Sequence, residues 1–253
     1  MSDSQPTEGA TREHASEQAI WQELEFGSYR ADLGLWEEIA AEAAGPVLEL
    51  GAGAGRVALH LAGEGHEVIA VEREAALAAE LERRAGTLPI RVVRAEFADL
   101  PAKRLTPRAA IAPLHVIQEL DPVARRSLLE ALADVLPRGS KLCAIVVDES
   151  SFASADLGPK PLPDMREVAD WVYSSEPLWV EVDAHRIRVR RLRERVSPEG
   201  EIDRSVHDDA LERISPAALE AEAESAGFDA AERRTMRTSS SEADSIAVIL
   251  KRR

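Results

Sequence analysis

The stretch Val47-Leu48-Glu49-Leu50-Gly51-Ala52-Gly53-Ala54-Gly55-Arg56-Val57 decides how the rest of the chain is interpreted. Its first four residues predict a short buried strand, and its glycines predict a tight turn. The residues from about Gly55 onward predict a helix. Glycine lets a backbone turn sharply and lets a ligand approach closely, because it has no Cβ. A helix start offers unpaired N–H groups to an acceptor. The stretch therefore predicts a nucleotide-type binding element.

Strands and helices alternate from residue 47 to residue 148. Apolar runs predict further strands at 67–71, 90–94, 109–112 and 141–147, with amphipathic helices between them. This alternation predicts an α/β fold with a parallel sheet and right-handed crossovers. Ligands of such sheets bind outside the carboxyl ends of the strands. We therefore expect the binding site in the loops that follow these strands.

The glycine pattern distinguishes two ligand classes. Dinucleotide-binding folds require G-x-G-x-x-G/A, and Arg56 stands at the third small position of that pattern. The pattern present is Glu49 followed by G-x-G-x-G, which resembles motif I of the class I S-adenosylmethionine-dependent methyltransferases. The resemblance implies a Rossmann-like, seven-stranded, mostly parallel sheet with an antiparallel C-terminal hairpin. It also implies S-adenosylmethionine as the cofactor and methyl transfer to a small molecule.

The resemblance assigns cofactor contacts to the ends of several strands. Glu72, 21 positions after Gly51, would accept hydrogen bonds from the ribose hydroxyls, although dinucleotide folds place an acid similarly. Glu96 stands where the family usually has Asp near the adenine amino group. Tyr29 resembles a tyrosine that covers the cofactor; alternatively it packs a helix on the core. The predicted cofactor-binding residues are Tyr29, Glu49, Gly51, Ala52, Gly53, Gly55, Glu72, Arg73, Ala95, Glu96, Phe97, Pro113, Leu114 and His115.

His115 is the candidate catalytic residue, because it is the one histidine at the end of a predicted strand. It follows the fourth strand, at the sheet edge where the methyl group should point. One interpretation makes it a general base, and the other makes it structural. Holding the acceptor in line with an activated methyl group supplies much of the rate by itself. No His and carboxylate residues show the spacing of metal ligands, so we expect no metal.

Residues 149–213 break the alternation of strands and helices. Residues 149–167 contain three prolines and predict a loop, whereas 170–213 predicts antiparallel strands with a hairpin turn at 197–200. We interpret 149–213 as an antiparallel β insertion that lies over the cofactor edge of the sheet as a lid and shapes the substrate cavity.

A chain of 253 residues allows one α/β domain with an insertion. After the insertion, Ser215-Pro216 predicts a helix start, followed by two further strands. The predicted organisation is a disordered tail at 1–16, a lid or substrate insertion at 149–213, and a cofactor-binding domain formed by 17–148 and 214–253.

Arginines crowd the predicted strand at 186–196. One interpretation is a local anion site. The other is a solvated face whose arginines pair with acids on neighbouring strands, such as Glu181, Asp183, Asp203 and Asp208.

The net charge of −15 repels phosphate backbones and anionic membranes. The loop after the fourth strand also lacks the Asp/Asn-Pro-Pro-aromatic motif of base-methylating enzymes. We therefore predict a small-molecule substrate and neither a nucleic-acid nor a membrane partner.

The residues before Ile20 are polar and contain no apolar signal segment, and no apolar stretch approaches the ~20 residues of a membrane span. The expected location is cytoplasmic.

Two alternatives to a methyltransferase remain open from the sequence. One is an NAD(P)-dependent Rossmann oxidoreductase, against which Glu49 and Arg56 argue. The other is a non-catalytic module that binds S-adenosylmethionine, because methyl transfer requires no obligatory catalytic side chain. The sequence predicts neither the acceptor nor the oligomeric state.

Overall fold

The computed structural model describes residues 8–147, 162–236 and 244–253, with the backbone alone for residues 8–16. The helices are α1 (Glu8–Phe26), α2 (Leu33–Ala43), α3 (Arg56–Gly63), α4 (Ala75–Ala85), α5 (Pro122–Val135) and α6 (Pro216–Ser225). The strands are β1 (Val47–Leu50), β2 (Val68–Glu72), β3 (Ile90–Arg94), β4 (Ala109–Ala112), β5 (Lys141–Val147), β6 (Asp164–Val168), β7 (Trp171–Val182), β8 (Arg186–Val196), β9 (Ile202–Glu212), β10 (Phe228–Met236) and β11 (Ser245–Arg252). Among the described residues, no helix is long and apolar enough to cross a membrane.

The larger sheet has seven strands in the order β10-β11-β5-β4-β1-β2-β3. The strands β1 to β5 pair in parallel, and β11 runs antiparallel to both β5 and β10. Every residue of β1, β2 and β4 is buried, as expected for a parallel sheet that helices cover on both faces. The predicted α/β class, the mostly parallel sheet and the antiparallel C-terminal hairpin are confirmed.

Apolar side chains form a core on each face of this sheet. Phe228 and Leu128 lie fully buried on one face, and Trp36 and Ile39 on the other. Cys143 belongs to the second core, and burial raises the pKa of its thiol to about 12. The thiol is therefore protonated at neutral pH and behaves as a small apolar side chain.

The predicted helix starts follow from local capping chemistry. Asp121 accepts hydrogen bonds from the backbone N–H groups of Val123 and Ala124 at 2.8 Å each. Ser215 accepts one from Ala218 at 3.2 Å. Each cap is followed by proline at the first helical position, where its missing N–H costs no hydrogen bond.

The first helix corrects the predicted disordered tail. Helix α1 begins at Glu8, so residues 8–16 are helical, and residues 1–7 lie outside the described part of the chain. The buried side chains of Trp21 and Leu24 anchor this helix further along. Extending an anchored helix needs no new nucleus, and polar composition alone does not reveal such an extension.

Gly27 follows the last residue of α1. A Cβ at Gly27 would lie 2.3 Å from the carbonyl oxygen of Glu23, so a larger residue would displace the turn. The chain then runs through residues 27–32 into α2. This connection is important because it passes in front of the glycine turn that follows β1.

The second sheet is antiparallel, with four strands in the order β6-β7-β8-β9. It confirms the predicted antiparallel insertion, with two differences. Strand β6 occupies part of 149–167, which the three prolines predicted as loop; residues 149–161 lie outside the described part. Strand β7 continues through Pro177, where two separate strands were predicted. A bulge between Pro177 and Trp179 accommodates the missing N–H at a point beyond the end of β6.

The second sheet packs against α1. The rings of Trp21 and Tyr173 meet edge to face with centroids 5.1 Å apart. Glu25 accepts hydrogen bonds from Ser175 at 2.7 Å and from Arg193 at 2.8 and 2.7 Å. Because α1 also contacts the glycine turn through Ala19 and Ala54, it connects the second sheet to the predicted binding site.

Five arginines of β8 are ion-paired, as the second interpretation of that strand predicted. Their partners lie on the neighbouring strands and on α1. The pairs are Arg186 with Glu212, Arg188 with Glu181 and Asp183, Arg190 with Asp208, Arg193 with Glu25, and Arg195 with Glu17 and Asp203.

Candidate active site

A cavity of about 610 Å³ lies at the carboxyl ends of β1 and β4, which is within the size range of small-molecule sites. The connection between α1 and α2 and the start of α3 contribute to its walls. The predicted cofactor residues that line it are Glu49, Gly51, Ala52, Gly55, Pro113 and Leu114. The structure therefore brings together the loops after β1 and β4, as the sheet topology predicts.

The three glycines of the turn have positive φ values of 63°, 56° and 98° at Gly51, Gly53 and Gly55. A Cβ at Gly51 would lie 2.8 Å from Val116 Cγ2, and one at Gly55 would lie 2.3 Å from Leu81 Cδ1. Both positions thus require glycine for packing as well as for backbone conformation.

The middle glycine of the turn, Gly53, has a different neighbour from the one that the sequence suggested. A Cβ at Gly53 would lie 2.2 Å from Nε2 of Gln22, a residue of α1. Gln22 Oε1 also accepts a hydrogen bond from the backbone N–H of Ala54 at 2.6 Å. The close approach at Gly53 is therefore made by a protein side chain, which the sequence analysis did not identify.

Glu72 contacts the glycine turn directly. Its carboxylate accepts hydrogen bonds from the backbone N–H groups of Gly53 and Glu74, at 2.8 Å each. Because a carboxylate has about four acceptor positions, these bonds leave Glu72 capacity for further donors. Its predicted contact with the ribose stays a prediction.

Glu49 is a buried carboxyl group on the cavity wall. It is only 2% exposed, and its Oε2 atom has no hydrogen-bond partner among the described residues. Burial raises its pKa to about 8, and the positive charge of Arg56 opposes this rise. A cationic group in the cavity would give Glu49 the partner that it lacks.

Arg56 holds the connection between α1 and α2 in place. Its Nη1 and Nη2 atoms donate to the two carboxylate oxygens of Asp32 at 2.6 Å each, and Nη1 also donates to the carbonyl oxygen of Tyr29 at 3.0 Å. The guanidinium carbon lies 5.3 Å from the centroid of the Tyr29 ring. Trp36 Nε1 donates to Asp32 at 2.8 Å. Tyr29 is thus fixed beside the cavity through Arg56.

His115 lies in a strained part of the loop after β4. Leu114 and His115 have φ values of 49° and 66°, which cost free energy in residues with a Cβ. The Nε2 atom of His115 lies 3.0 Å from the hydroxyl oxygen of Ser245 on β11. Burial lowers the pKa of His115 to about 4, so the ring is neutral at neutral pH. Its role as a base stays a prediction.

The residues predicted to hold the adenosine part surround the ends of β2 and β3. The backbone N–H of Ala95 donates to the carbonyl oxygen of Glu72 at 3.4 Å. Glu96 is exposed, and Phe97 packs partly against the core. Arg73 is exposed and lies 3.7 Å from Glu74. This second group is joined to the cavity through the bond between Glu72 and Gly53.

A carboxylate-rich corner lies where the second sheet meets the edge of the first. The side chain of Gln118 accepts a hydrogen bond from Val147 N–H at 2.7 Å and donates one to the carbonyl oxygen of Glu212 at 3.1 Å. The next residue is Glu119. Glu119 as a whole is exposed, and partial desolvation of its carboxyl group raises its pKa; Arg73 opposes the rise, while Asp209 of β9 and Glu72 add to it.

The second sheet also contributes to the mouth of the cavity. Glu23 of α1 pairs with both Arg84 of α4 and Arg166 of β6, and all three residues line the cavity. These residues and Gln22 could not be identified from the sequence, because their partners are distant in the chain. Among the described residues, no group of three or more His, Cys, Asp or Glu side chains could hold a metal ion.

The family model described as a methyltransferase domain matches residues 47–139. The matched range begins with β1 and includes both the glycine turn and the loop after β4. A search of curated proteins found no matching sequence.

Several solved structures resemble the chain in fold. The sugar N-methyltransferase KedS8 from a Streptoalloteichus species is 16% identical over 100% of this chain and 96% of that chain, with a TM-score of 0.73. The amino pentose methyltransferase CalS10 from Micromonospora echinaspora, solved with S-adenosylmethionine bound, is 13% identical over 100% of both chains, with a TM-score of 0.65. The CcbJ methyltransferase from Streptomyces caelestis is 21% identical over 90% of this chain and 98% of that chain, with a TM-score of 0.67. At these identities the likeness concerns the fold.

Proposed function

The chain is an S-adenosylmethionine-dependent methyltransferase with a small-molecule acceptor, and from this premise we propose that it methylates the amino group of a polar molecule. The family match confirms the resemblance to class I methyltransferases that motif I indicated, and it argues against the NAD(P)-dependent oxidoreductase. Two proteins of similar fold are described as a sugar N-methyltransferase and an amino pentose methyltransferase. An amino sugar is therefore the acceptor class to test first.

The observation that carries the choice of an amine is the carboxylate-rich corner. Asp209 and Glu72 each raise the pKa of Glu119, so both negative charges act on its carboxyl group. A cationic group placed there relieves the repulsion among these carboxylates. The net charge of −15 also raises the local concentration of cations. Both effects favour an amine over a neutral hydroxyl acceptor.

The residues of the cavity fit the methionine end of the cofactor. Glu49 offers a buried oxygen without a partner, and Gly51 and Gly55 of the turn line the cavity wall. Glu72, Ala95, Glu96 and Phe97 would hold the adenosine end. When bound, S-adenosylmethionine supplies a methyl group that is already activated. The protein then has to orient the acceptor nitrogen in line and exclude water.

Proton handling is the chemical task that remains for the chain. An alkylammonium acceptor has no lone pair until it loses a proton. We assign this step to Glu119: its carboxylate takes the proton, and the neutral nitrogen keeps the electron pair. That pair would form the new C–N bond as the bond between the methyl carbon and sulfur breaks, with S-adenosylhomocysteine as the leaving group. A carboxyl group with a raised pKa is a better base near neutral pH than an ordinary one. His115, with its pKa of about 4, is a weaker base.

The test is a panel of amino sugars and other small polar amines, each compared with the analogue that has a hydroxyl in place of the amine. Release of S-adenosylhomocysteine above background with an amine, and at least about tenfold less with its hydroxyl analogue, supports the proposal. Equal turnover of both members of a pair would contradict it. Binding of S-adenosylhomocysteine without turnover of any acceptor would favour the non-catalytic module instead.

Under the proposal the enzyme acts in the cytoplasm and needs neither a nucleic-acid nor a membrane partner.

A further inference from the structure

The buried amide of Gln118 binds both ends of the segment that carries the second sheet. Gln118 is fully buried and lies in the loop after β4. Its Oε1 atom accepts a hydrogen bond from the backbone N–H of Val147 at 2.7 Å, and its Nε2 atom donates one to the carbonyl oxygen of Glu212 at 3.1 Å. Val147 is the last residue of β5, and Glu212 is the last residue of β9. One side chain therefore joins the loop after β4 to the points where the fifth strand of the first sheet and the last strand of the second sheet end.

This pair of hydrogen bonds depends on a side-chain amide. The N–H of Val147 needs an acceptor and the carbonyl of Glu212 needs a donor, and the amide of glutamine offers one of each in a fixed plane. An ionised glutamate could accept from Val147 but could not donate to Glu212. An apolar side chain would release both contacts.

The residue after Gln118 is Glu119, to which the proposed function assigns the proton transfer. The charges that act on Glu119 are those of Asp209 on β9, of Glu72 at the end of β2, and of Arg73 directly after β2. Glu72 and Arg73 are placed by the first sheet, whereas Asp209 is placed by the second. Asp209 lies three residues before the end of β9, which is about 10 Å along an extended strand. Its position relative to Glu119 therefore depends on how the end of β9 is held.

We propose that Gln118 is a positioning residue: by bonding to Val147 and Glu212, it holds β9 against the loop after β4 and keeps the carboxylate of Asp209 beside Glu119. This role rests on the proposed function, in which Glu119 is the base. Repulsion from Asp209 makes Glu119 bind its proton more tightly. Gln118 thus tunes the base without touching the acceptor.

The second sheet has a further attachment that provides a control. Ser175 of β7 and Arg193 of β8 both donate to Glu25 of α1. Arg193 stands opposite Ser205 of β9, far along that strand from its end. Ser175→Ala therefore loosens the second sheet without removing either hydrogen bond of Gln118.

Gln118→Met is the diagnostic substitution, because methionine has a similar volume and makes neither hydrogen bond. The protonation of Glu119 is followed by ¹³C NMR titration of the glutamate carboxyl carbons, and Glu119→Gln assigns the signal. S-adenosylhomocysteine is kept at saturation in every sample, because a bound ligand stabilises a weakened variant. This measurement needs no acceptor. Gln118→Asn keeps an amide that is set back by one methylene, and it serves if Gln118→Met does not fold.

We expect Gln118→Met to lower the ratio of protonated to ionised Glu119 about threefold or more at a given pH, the size expected for two partly exposed charges. Gln118→Asn should change the ratio less and in the same direction, and Ser175→Ala should leave it unchanged. Asp209→Asn should lower the ratio as much as Gln118→Met does. Combining the two substitutions should add little, because both remove the same repulsion.

An unchanged ratio in Gln118→Met, or full additivity in the double variant, would overturn the positioning role. With an amine acceptor in hand, Gln118→Met should also move the rise of kcat/KM to lower pH, because an easier ionisation of Glu119 yields the basic form earlier. A protein that turns over no amine would overturn the proposed function, whereas the NMR ratios test the role of Gln118 by themselves.

Discussion

Arg56 binds both carboxylate oxygens of Asp32 at 2.6 Å, although the two residues lie 24 positions apart and Asp32 is fully buried. Asp32 is the N-cap residue immediately before α2, and Arg56 is the first residue of α3. The pair therefore fixes the connection that carries Tyr29 against the first turn of α3. It thereby stabilises the wall of the cavity.

Asp32→Asn should be strongly destabilising. The substitution keeps the size of the side chain but leaves the largely buried Arg56 without its counter-charge, and such changes cost about 3–5 kcal/mol. Urea denaturation measures the loss. Arg83→Ala removes an exposed pair with Glu80 and should have little effect. Equal losses in the two variants would mean that the pair of Asp32 and Arg56 is not specially stabilising.

Gly53→Ala should destabilise the protein for two reasons that can be separated. The φ value of 56° is costly for alanine, and the new Cβ would lie 2.2 Å from Gln22. Gln22→Ala removes the second cause, together with the hydrogen bond that Gln22 accepts from Ala54. We expect the double variant to be more stable than the sum of the two single losses predicts. Strict additivity in thermal unfolding would show that Gln22 does not approach Gly53.

The contact of Asp32 with Arg56 and that of Gln22 with Gly53 illustrate what the sequence could and could not predict. The strands β1 and β4 are short runs in which every residue is apolar except Glu49, and the glycines between β1 and α3 have positive φ. Such features are local, and they predicted the sheet and the place of the cavity. The contact of Gln22 with the turn depends on how α1 is rotated about its axis and where it packs, and no local pattern encodes that.

The errors in the predicted elements have the same origin. Strand β6 exists because the edge of β7 offers it a ladder of hydrogen bonds from Trp171 to Ser175, whereas the prolines before it indicated a loop. Residues 8–16 are helical because they extend a helix that is anchored later in the chain. In both cases tertiary context overrides a local preference.

Glu49 should make the stability of the protein fall as the pH rises from about 4.5 to 8. Its pKa is raised from 4.5 to about 8 in the folded protein, so between these values the folded state binds a proton that the unfolded state has lost. By linkage, stability then decreases with increasing pH. Glu49→Gln removes this contribution. The melting temperature of the variant, relative to wild type, should rise steadily across this range; a constant difference would contradict the raised pKa.

Binding of the cofactor should release a proton near neutral pH. Glu49 is mostly protonated at pH 7, and an ammonium group beside it favours the carboxylate and lowers its pKa. Calorimetry of S-adenosylhomocysteine in buffers with different ionisation enthalpies measures the number of protons released. We expect close to one proton at pH 7 for the wild type and close to none for Glu49→Gln. Identical values for the two proteins would show that the released proton does not come from Glu49, or that the ammonium group of the cofactor does not lie beside Glu49.

The pH dependence of turnover distinguishes Glu119 from His115 as the base. Burial raises the pKa of Glu119 and lowers that of His115 to about 4. If Glu119 accepts the proton from the acceptor, kcat/KM should rise with pH through an ionisation above the usual glutamate range. Glu119→Gln should then remove that rise and lower turnover by about 10²–10⁴-fold. Glu130→Gln, on the exposed face of α5, is the matched control.

His115→Asn should keep the rise and affect KM more than kcat, because the ring contacts Ser245 and supports the loop after β4. The opposite result would be a His115→Asn enzyme that loses both its turnover and the pH-dependent rise, while Glu119→Gln keeps them. That result would show that His115 is the base and that Glu119 takes no part in the proton transfer.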